Sequence, residues 1–220
     1  MAISFATVVT LTLIFGPSAT LAYAGIHPPA PTCMDRDGNI LPATIYKKFP
    51  NTDSSDTWVT PDGDKEMTRL SSGGFDGWKV GGSKAPGGDV IVGSHLSDKI
   101  NGGKGNDVIC GDDSRATFTV GDDKISGGFG NDDMWGTYPG ALTDGSAEDA
   151  DTLNGGQGND WMWGQDGPDT IIGGQGVDKA FCSQGGDDGD DDVVKLGKGI
   201  DLPSVNCVGG DTVNLGNKHE

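Results

Sequence analysis

Positive charge and large apolar residues are both scarce in this chain. Lys and Arg total 15 against 33 Asp and Glu, giving a net charge of −18 over 220 residues. Nucleic acid and anionic membrane surfaces would be repelled by such a chain, so neither is expected as a partner. Hydrophobic residues make up 34%, too little for a thick core of the usual kind. The three histidines, His27, His95 and His219, lie far apart in sequence. Neither a His-Glu-x-x-His zinc motif nor a Gly-x-Ser-x-Gly nucleophile turn occurs. With those motifs missing, the chain is read as a binding protein and not an enzyme. Its many carboxylates keep a small secreted hydrolase with an unrecognised site as an alternative. The four cysteines include no Cys-x-x-Cys pair, which argues against zinc.

Glycine is the residue present in excess, at 39. That richness normally signals a flexible chain, but here the glycines keep a regular period. Residues 1–24 carry no charge, include the apolar stretch from Val8 to Phe15, and end in Ala22-Tyr23-Ala24. A short apolar run before a small-x-small site reads as a cleaved secretory signal peptide, although the usual leading Lys or Arg is missing. The mature chain then has no membrane span. Export makes Cys33, Cys110, Cys182 and Cys207 candidates for two disulfides, with three connectivities open. The favoured pairing is Cys182–Cys207 as a C-terminal clasp and Cys33–Cys110 tying the N-terminal segment to the repeats.

The period itself is read from Gly102 to Cys110, GGKGNDVIC, which recurs as GGFGNDDMW from Gly127, GGQGNDWMW from Gly155 and GGQGVDKAF from Gly173. These segments share Gly-Gly-x-Gly-x-Asp-x-U-x, with U apolar. In this they resemble the RTX, or haemolysin-type, calcium-binding repeat family. The resemblance runs from about Lys84 to Asn214. It implies an all-β fold, a right-handed parallel β-roll (a β-solenoid of RTX type) with short strands and Gly/Asp-rich turns. The expected organisation is a signal peptide at 1–24, an irregular N-terminal cap at 25–83, the roll at 84–181, and degenerate repeats with a cap at 182–220.

Aligned on the sixth-position acid, the units present Asp89, Asp98, Asp107, Asp123, Asp132, Asp151, Asp160, Asp169, Asp178, Asp191 and Asp211. Their eighth positions are Ile91, Ile100, Ile109, Ile125, Met134, Leu153, Met162, Ile171, Ala180, Val193 and Val213. All but Ala180 are large and apolar, so this column is the expected core. Six Gly-rich residues make a turn and three make a strand with alternating side chains. Two units therefore close one coil, and each turn stacks on the turn two units away. All four full repeats, with the turn ending at Asp89 and a looser one ending at Asp211, then fall on one edge, here called edge A. Turns poorer in Gly fall on edge B, where insertions at 111–117 and 136–145 are expected just ahead of units starting at Phe118 and Ser146.

Calcium takes six to eight hard oxygens in a tolerant geometry, whereas magnesium holds a tight octahedron and keeps its waters. The resemblance implies ions lying between stacked turns, about four strong sites along edge A. The implied carboxylate ligands are Asp89, Asp107, Asp132, Asp160 and Asp178. The implied carbonyl ligands are those of Gly102, Gly103, Gly105, Gly127, Gly128, Gly130, Gly155, Gly156, Gly158, Gly173, Gly174 and Gly176. Edge B carries Asp98, Asp122, Asp123, Asp149, Asp151, Asp166 and Asp169, so additional weaker sites are expected there, with Asp98, Asp123, Asp151 and Asp169 as the sixth-position ligands. The sequence Asp35-Arg36-Asp37-Gly38-Asn39 looks like an EF-hand start but lacks the third acid and the distal Glu, and reads as an Asp-Gly turn.

Outward positions differ between the two faces. One carries Val92, Cys110, Trp135, Trp163 and Phe181 at position nine, joined by Trp161 at position seven. That column suits either a protein or glycan partner on the Trp135/Trp163 face or coverage by the N-terminal segment, and coverage is favoured because solenoids need caps. The other face shows Lys99, Lys124, Thr152 and Thr170 with Asn101 and Asn154, a broken likeness of the Thr/Asn ladders of ice-binding rolls. The overall reading is a secreted calcium-binding repeat protein acting as a structural, adhesion or interaction module. A calcium-stabilised ice-binding protein is the other alternative.

Overall fold

A computed structural model describes residues 30–47, 58–59, 68–69, 78–81, 87–113, 121–139, 149–183, 191–202, 206–207 and 211–216. The expected signal peptide lies outside these residues, as do Phe49, Phe75 and the side chains of Trp58 and Trp78, the aromatics with which the N-terminal segment is expected to cover the tryptophan column. Six short N-terminal strands come first: β1 (Thr32–Met34), β2 (Ile40–Pro42), β3 (Tyr46–Lys47), β4 (Trp58–Val59), β5 (Thr68–Arg69) and β6 (Trp78–Gly81). The repeats supply β7 (Val90–Val92), β8 (Lys99–Lys104), β9 (Val108–Cys110), β10 (Lys124–Phe129), β11 (Asp133–Trp135) and β12 (Thr152–Gln157). They continue with β13 (Trp161–Trp163), β14 (Thr170–Gln175), β15 (Lys179–Phe181), β16 (Val193–Lys198) and β17 (Thr212–Asn214).

From β7 to β16 consecutive strands alternate between two sheets. One sheet has the order β17-β16-β14-β12-β10-β8-β6-β5 and the other β15-β13-β11-β9-β7. Every pair from β6 onward is parallel and in register, as Ile100↔Ile125↔Leu153↔Ile171↔Val194 illustrates. The fold is an all-β parallel β-roll, two repeat units to a coil, and the insertions leave the alternation intact. The larger sheet's full strands are six residues long, against the expected three, because the first glycines of the next turn continue the ladder, as in Gly103↔Gly128↔Gly156.

The eighth-position column is the core, except on terminal β17, where the expected core residue Val213 is exposed because no further coil among the described residues covers it. Ile91, Ile109, Ile125, Met134, Leu153, Met162, Ile171 and Ala180 are wholly buried, and Ile100 nearly so. Full burial of each large side chain contributes roughly 1.5–3 kcal/mol. A second apolar layer forms outside the smaller sheet. There Trp135 and Trp163 stack with ring centroids 4.0 Å apart, Trp163 and Phe181 at 4.7 Å. In-register parallel strands place identical positions one strand spacing apart, which suits flat rings. Cys33, Ala43, Met34, Leu41 and Tyr46 pack over this column. Arg36 forms an ion pair with Asp133, the Trp135 Nε1–H donates to the Met34 carbonyl at 2.7 Å, and a disulfide joins Cys33 to Cys110. Trp135 and Trp163 are therefore buried under the N-terminal segment, the favoured of the two expectations, and the alternative of a protein or glycan partner meeting these two rings does not hold. The second disulfide joins Cys182 to Cys207 with Cα atoms 5.1 Å apart. No helix among the described residues is long and apolar enough to cross a membrane.

Three details of register differ from the sequence reading. Gly93, Gly111, Gly136 and Gly164 form one column, each donating its N–H to a carbonyl of the next strand in the smaller sheet. The edge-B turns therefore start at Gly111 and Gly136, not at Phe118 and Ser146, and the insertions lie inside the turns. Next, β14 pairs with β16 so that Asp192 and Val194, not Asp191 and Val193, hold positions six and eight. Finally, β17 pairs with β16 in the larger sheet, which puts Asp211 on edge B. The edge-A turn between them is Leu196 to Asp201, hidden in the sequence because Leu196 replaces the first glycine and fills the core instead.

Candidate metal centre

The sixth-position acids build two ladders. On edge A the backbone N–H of Asp89 donates to Oδ1 of Asp107 at 2.7 Å, and so on through Asp132, Asp160, Asp178 and Asp201 at 2.8 to 3.1 Å. Edge B repeats the pattern through Asp98, Asp123, Asp151, Asp169, Asp192 and Asp211 at 2.7 to 2.9 Å. One carboxylate oxygen is thus spent on stacking. The other, Oδ2, is buried without a hydrogen-bond partner among the described residues in Asp107, Asp132, Asp160, Asp178, Asp123, Asp151, Asp169 and Asp201.

The glycines explain why these oxygens face backbone. A Cβ on Gly127 would collide with Oδ2 of Asp132 and stand 2.8 Å from the Gly155 carbonyl oxygen. Only a residue without a side chain leaves room there, so Oδ2 lies beside the carbonyls of stacked turns. Gly130 has φ of 133°, and a Cβ there would overlap the Gly105 carbonyl. The edge-A carboxylates Asp89, Asp107, Asp132, Asp160 and Asp178 are brought into one column with the turns containing Gly102, Gly103, Gly105 and their equivalents. Outside that column, Asn131 N–H donates to Asn106 Oδ1 and Asn159 N–H to Asn131 Oδ1, both at 2.8 Å, a second ladder in solvent.

Burial drives the electrostatics. Loss of water pushes Asp132 and Asp160 up to about 7 and Asp107 and Asp178 to about 6, with neighbouring carboxylates adding to the rise and backbone donors opposing it. On edge B, Asp123, Asp151 and Asp169 are pushed well above the ordinary range, again by burial first and then by a neighbouring carboxylate, Asp112 for Asp123, Asp149 for Asp151 and Asp151 for Asp169. Isolated buried carboxylates cost several kcal/mol each unless a cation compensates them. Hard, orphaned oxygens beside carbonyls fit calcium by donor type. By contrast Cys182, Cys207 and Asp211, which lie close together, offer no thiolate, since the two sulfurs are bonded to each other. Asp35 accepts the N–H groups of Asp37 and Asn39 through Oδ1, the expected Asp-Gly turn.

Sequence reasoning passed over Asp112, Asp192 and Asp201. Asp112 follows Gly111 directly, and reading Gly111 as the first turn residue would have found it.

The profile of the RTX calcium-binding nonapeptide repeat matches this chain in four copies, over residues 85–115, 119–137 and 147–180. No curated protein and no solved structure matches it.

Proposed function

From a chain that carries RTX calcium-binding nonapeptide repeats over residues 85–180, we propose a secreted protein whose roll folds around stacked calcium ions and serves as a structural, adhesion or interaction module. The observation that carries this reading is the pair of aspartate ladders with one oxygen bonded and the other buried and unpartnered. When bound, calcium would supply positive charge at those oxygens. Asp89, Asp107, Asp132, Asp160 and Asp178 would hold it on edge A, with carbonyls of Gly102, Gly103, Gly105, Gly127, Gly128, Gly130, Gly155, Gly156, Gly158, Gly173, Gly174 and Gly176. Asp98, Asp123, Asp151 and Asp169 would hold it on edge B. The chain's own work is positional: glycines let the turns touch, the backbone ladder orients each carboxylate, and the core keeps the coils in register.

Export is supported by the uncharged, apolar N-terminal stretch and by two disulfides, which persist in oxidising compartments. The missing catalytic motifs support a non-enzymatic role. A protein or glycan partner has the half-exposed Trp161 and Phe181 to meet, flanked by Lys179 at 4.8 Å from both rings. The ice-binding alternative has less support, because Lys99, Lys124, Ile172, Val193 and Lys195 interrupt the outward columns of the larger sheet.

Equilibrium dialysis of the mature protein against radioactive calcium, after stripping with chelator, tests the reading. It predicts at least about four ions per chain at millimolar calcium, the edge-A intervals alone accounting for that number. Fewer than about two would contradict it.

A further inference from the structure

The column of turn-opening glycines on edge B ends in a cysteine. A Cβ on Gly111 or Gly136 would collide with the turn's own sixth-position carboxylate and with the carbonyl of the next member of the column. The Trp163↔Phe181 pairing brings Cys182 into register with Gly164, and the Gln165 N–H donates to the Cys182 carbonyl at 2.9 Å. The Cys182 sulfur is bonded to Cys207 in the following turn, 25 residues on. Both sulfurs and a carboxylate oxygen of Asp211 lie within 4.8 Å of one another. The long separation, in place of a Cys-x-x-Cys spacing, hides this group in the sequence.

The fold gathers these three groups by means other than the disulfide. The Asp192 N–H donates to Asp211 Oδ1 at 2.9 Å and the Thr212 N–H to the Asp192 carbonyl at 2.8 Å, which fixes Asp211 at the head of β17. Asn206, at a φ of 58°, donates its side-chain N–H to the Ser183 carbonyl at 3.1 Å, seating Cys207 against the residue after Cys182. Cys182 is buried in the core, whereas Cys207 and Asp211 are half-buried. Opening the S–S bond therefore leaves two sulfurs and a carboxylate oxygen collected at one point. A zinc ion needs such donors at only about 2.0–2.3 Å from a common centre.

We propose that Cys182, Cys207 and Asp211 form a redox-gated zinc site. In oxidising surroundings it is a disulfide; after a dithiol reductant has acted, two thiolates and a carboxylate hold one zinc ion, with water as fourth ligand. Cys207 is the sulfur within a reductant's reach. A thiolate of the dithiol attacks it, the S–S bond breaks and Cys182 leaves as thiolate. The reductant's second thiolate then attacks the mixed disulfide and displaces Cys207. The dithiol ends as its own disulfide, its two protons pass to the cysteines, and zinc binding releases them to solvent. Thiolates are soft donors, which select zinc over the calcium that suits the oxygen-lined turns. Cys33 and Cys110 are both wholly buried and so shielded from the same attack. The last coil thus has two interchangeable clasps, one covalent and one metallic.

The test is run in millimolar calcium, and its outcome is independent of how many calcium ions the roll holds. Mature protein is reduced with dithiothreitol, freed of reductant without oxygen, and titrated with cobalt(II) as a spectroscopic stand-in for zinc. Oxidised protein, Cys182→Ser/Cys207→Ser and Asp211→Asn are titrated beside it. Alkylation and mass spectrometry count the thiols released, and a Cys33→Ser/Cys110→Ser background isolates the clasp if both bridges open. Reduced wild type should show thiolate-to-cobalt charge-transfer absorption that saturates at about one ion per chain and disappears on adding zinc. Oxidised protein and the double-serine variant should show none. Asp211→Asn should keep the absorption but bind at least about tenfold more weakly, the loss that even an outer-sphere partner brings. A reduced wild type without that absorption overturns the site, and so does an Asp211→Asn isotherm equal to wild type. The β spectrum should survive reduction; its collapse would also overturn the proposal, because the fold must gather the ligands.

Discussion

Each sixth-position aspartate does two jobs with two oxygens. From Asp107 to Asp201 on edge A and from Asp123 to Asp169 on edge B, Oδ1 accepts a backbone N–H of the neighbouring coil and Oδ2 is left beside carbonyls; Asp98 differs, its Oδ2 accepting from Ser94. The glycine between them is equally constrained. Gly130→Ala would place a Cβ on the Gly105 carbonyl at a positive φ, so calcium-saturated unfolding in urea should show a loss of more than about 1 kcal/mol. A smaller loss would mean the stacked turns can part at that point. Core positions behave more conventionally: Ile125→Ala should cost about 2–5 kcal/mol in the same measurement. At this scale the sequence was informative wherever side-chain type repeats. Every apolar eighth residue from Ile91 to Ile171 is where its spacing put it. Asp112 escaped because its place depends on which glycine begins the turn, and an insertion separates Gly111 from the acid that closes it. Asp201 escaped because Leu196 swaps a turn glycine for core packing.

The two edges are elements with different chemistry. Gly-rich turns suggested stronger sites on edge A, and hence a larger effect of replacing Asp132 than Asp151. Asp151 is buried beside Asp149 and bonded along its ladder to Asp123 and Asp169, and its carboxyl, like that of Asp132, is raised by burial first. On the glycine argument Asp132→Asn should lose more calcium affinity than Asp151→Asn in parallel titrations; the reverse order would favour the edge poorer in glycine.

The N-terminal cap is a second element with its own test. It is held by Cys33–Cys110, Arg36–Asp133 and the Trp135 indole. A Cys33→Ser/Cys110→Ser pair should leave the roll's β signal in calcium but open Trp135 and Trp163 to acrylamide quenching. Quenching equal to wild type would show that packing alone seats the cap. The hydrophobic column and the cysteine at its top were readable in advance. The exact strands of the cap were not, since its residues carry no repeat and the antiparallel β1–β2 pairing depends on contacts with the roll.

At the scale of the molecule, net charge and burial combine into a dependence on pH and calcium. Asp107, Asp132, Asp160 and Asp178 titrate in the calcium-free fold at about 6 to 7, against 3.8 ordinarily. A raised carboxyl value favours the fold while the group is protonated. That contribution is complete below about 3.8 and is lost as pH rises through about 6 to 7. In chelator, sheet content should then be higher at mildly acidic pH than at neutral pH, and added calcium should abolish the difference. An equal calcium-free spectrum across that range would show that the carboxylates are not held together by the fold.

The most direct test of calcium-driven folding is far-ultraviolet circular dichroism of the mature chain at neutral pH, titrated from excess chelator to millimolar calcium and back. The account predicts a disordered spectrum giving way to a β spectrum, reversed by chelator and not reproduced by magnesium. A β spectrum already complete in chelator and unchanged by calcium would contradict it.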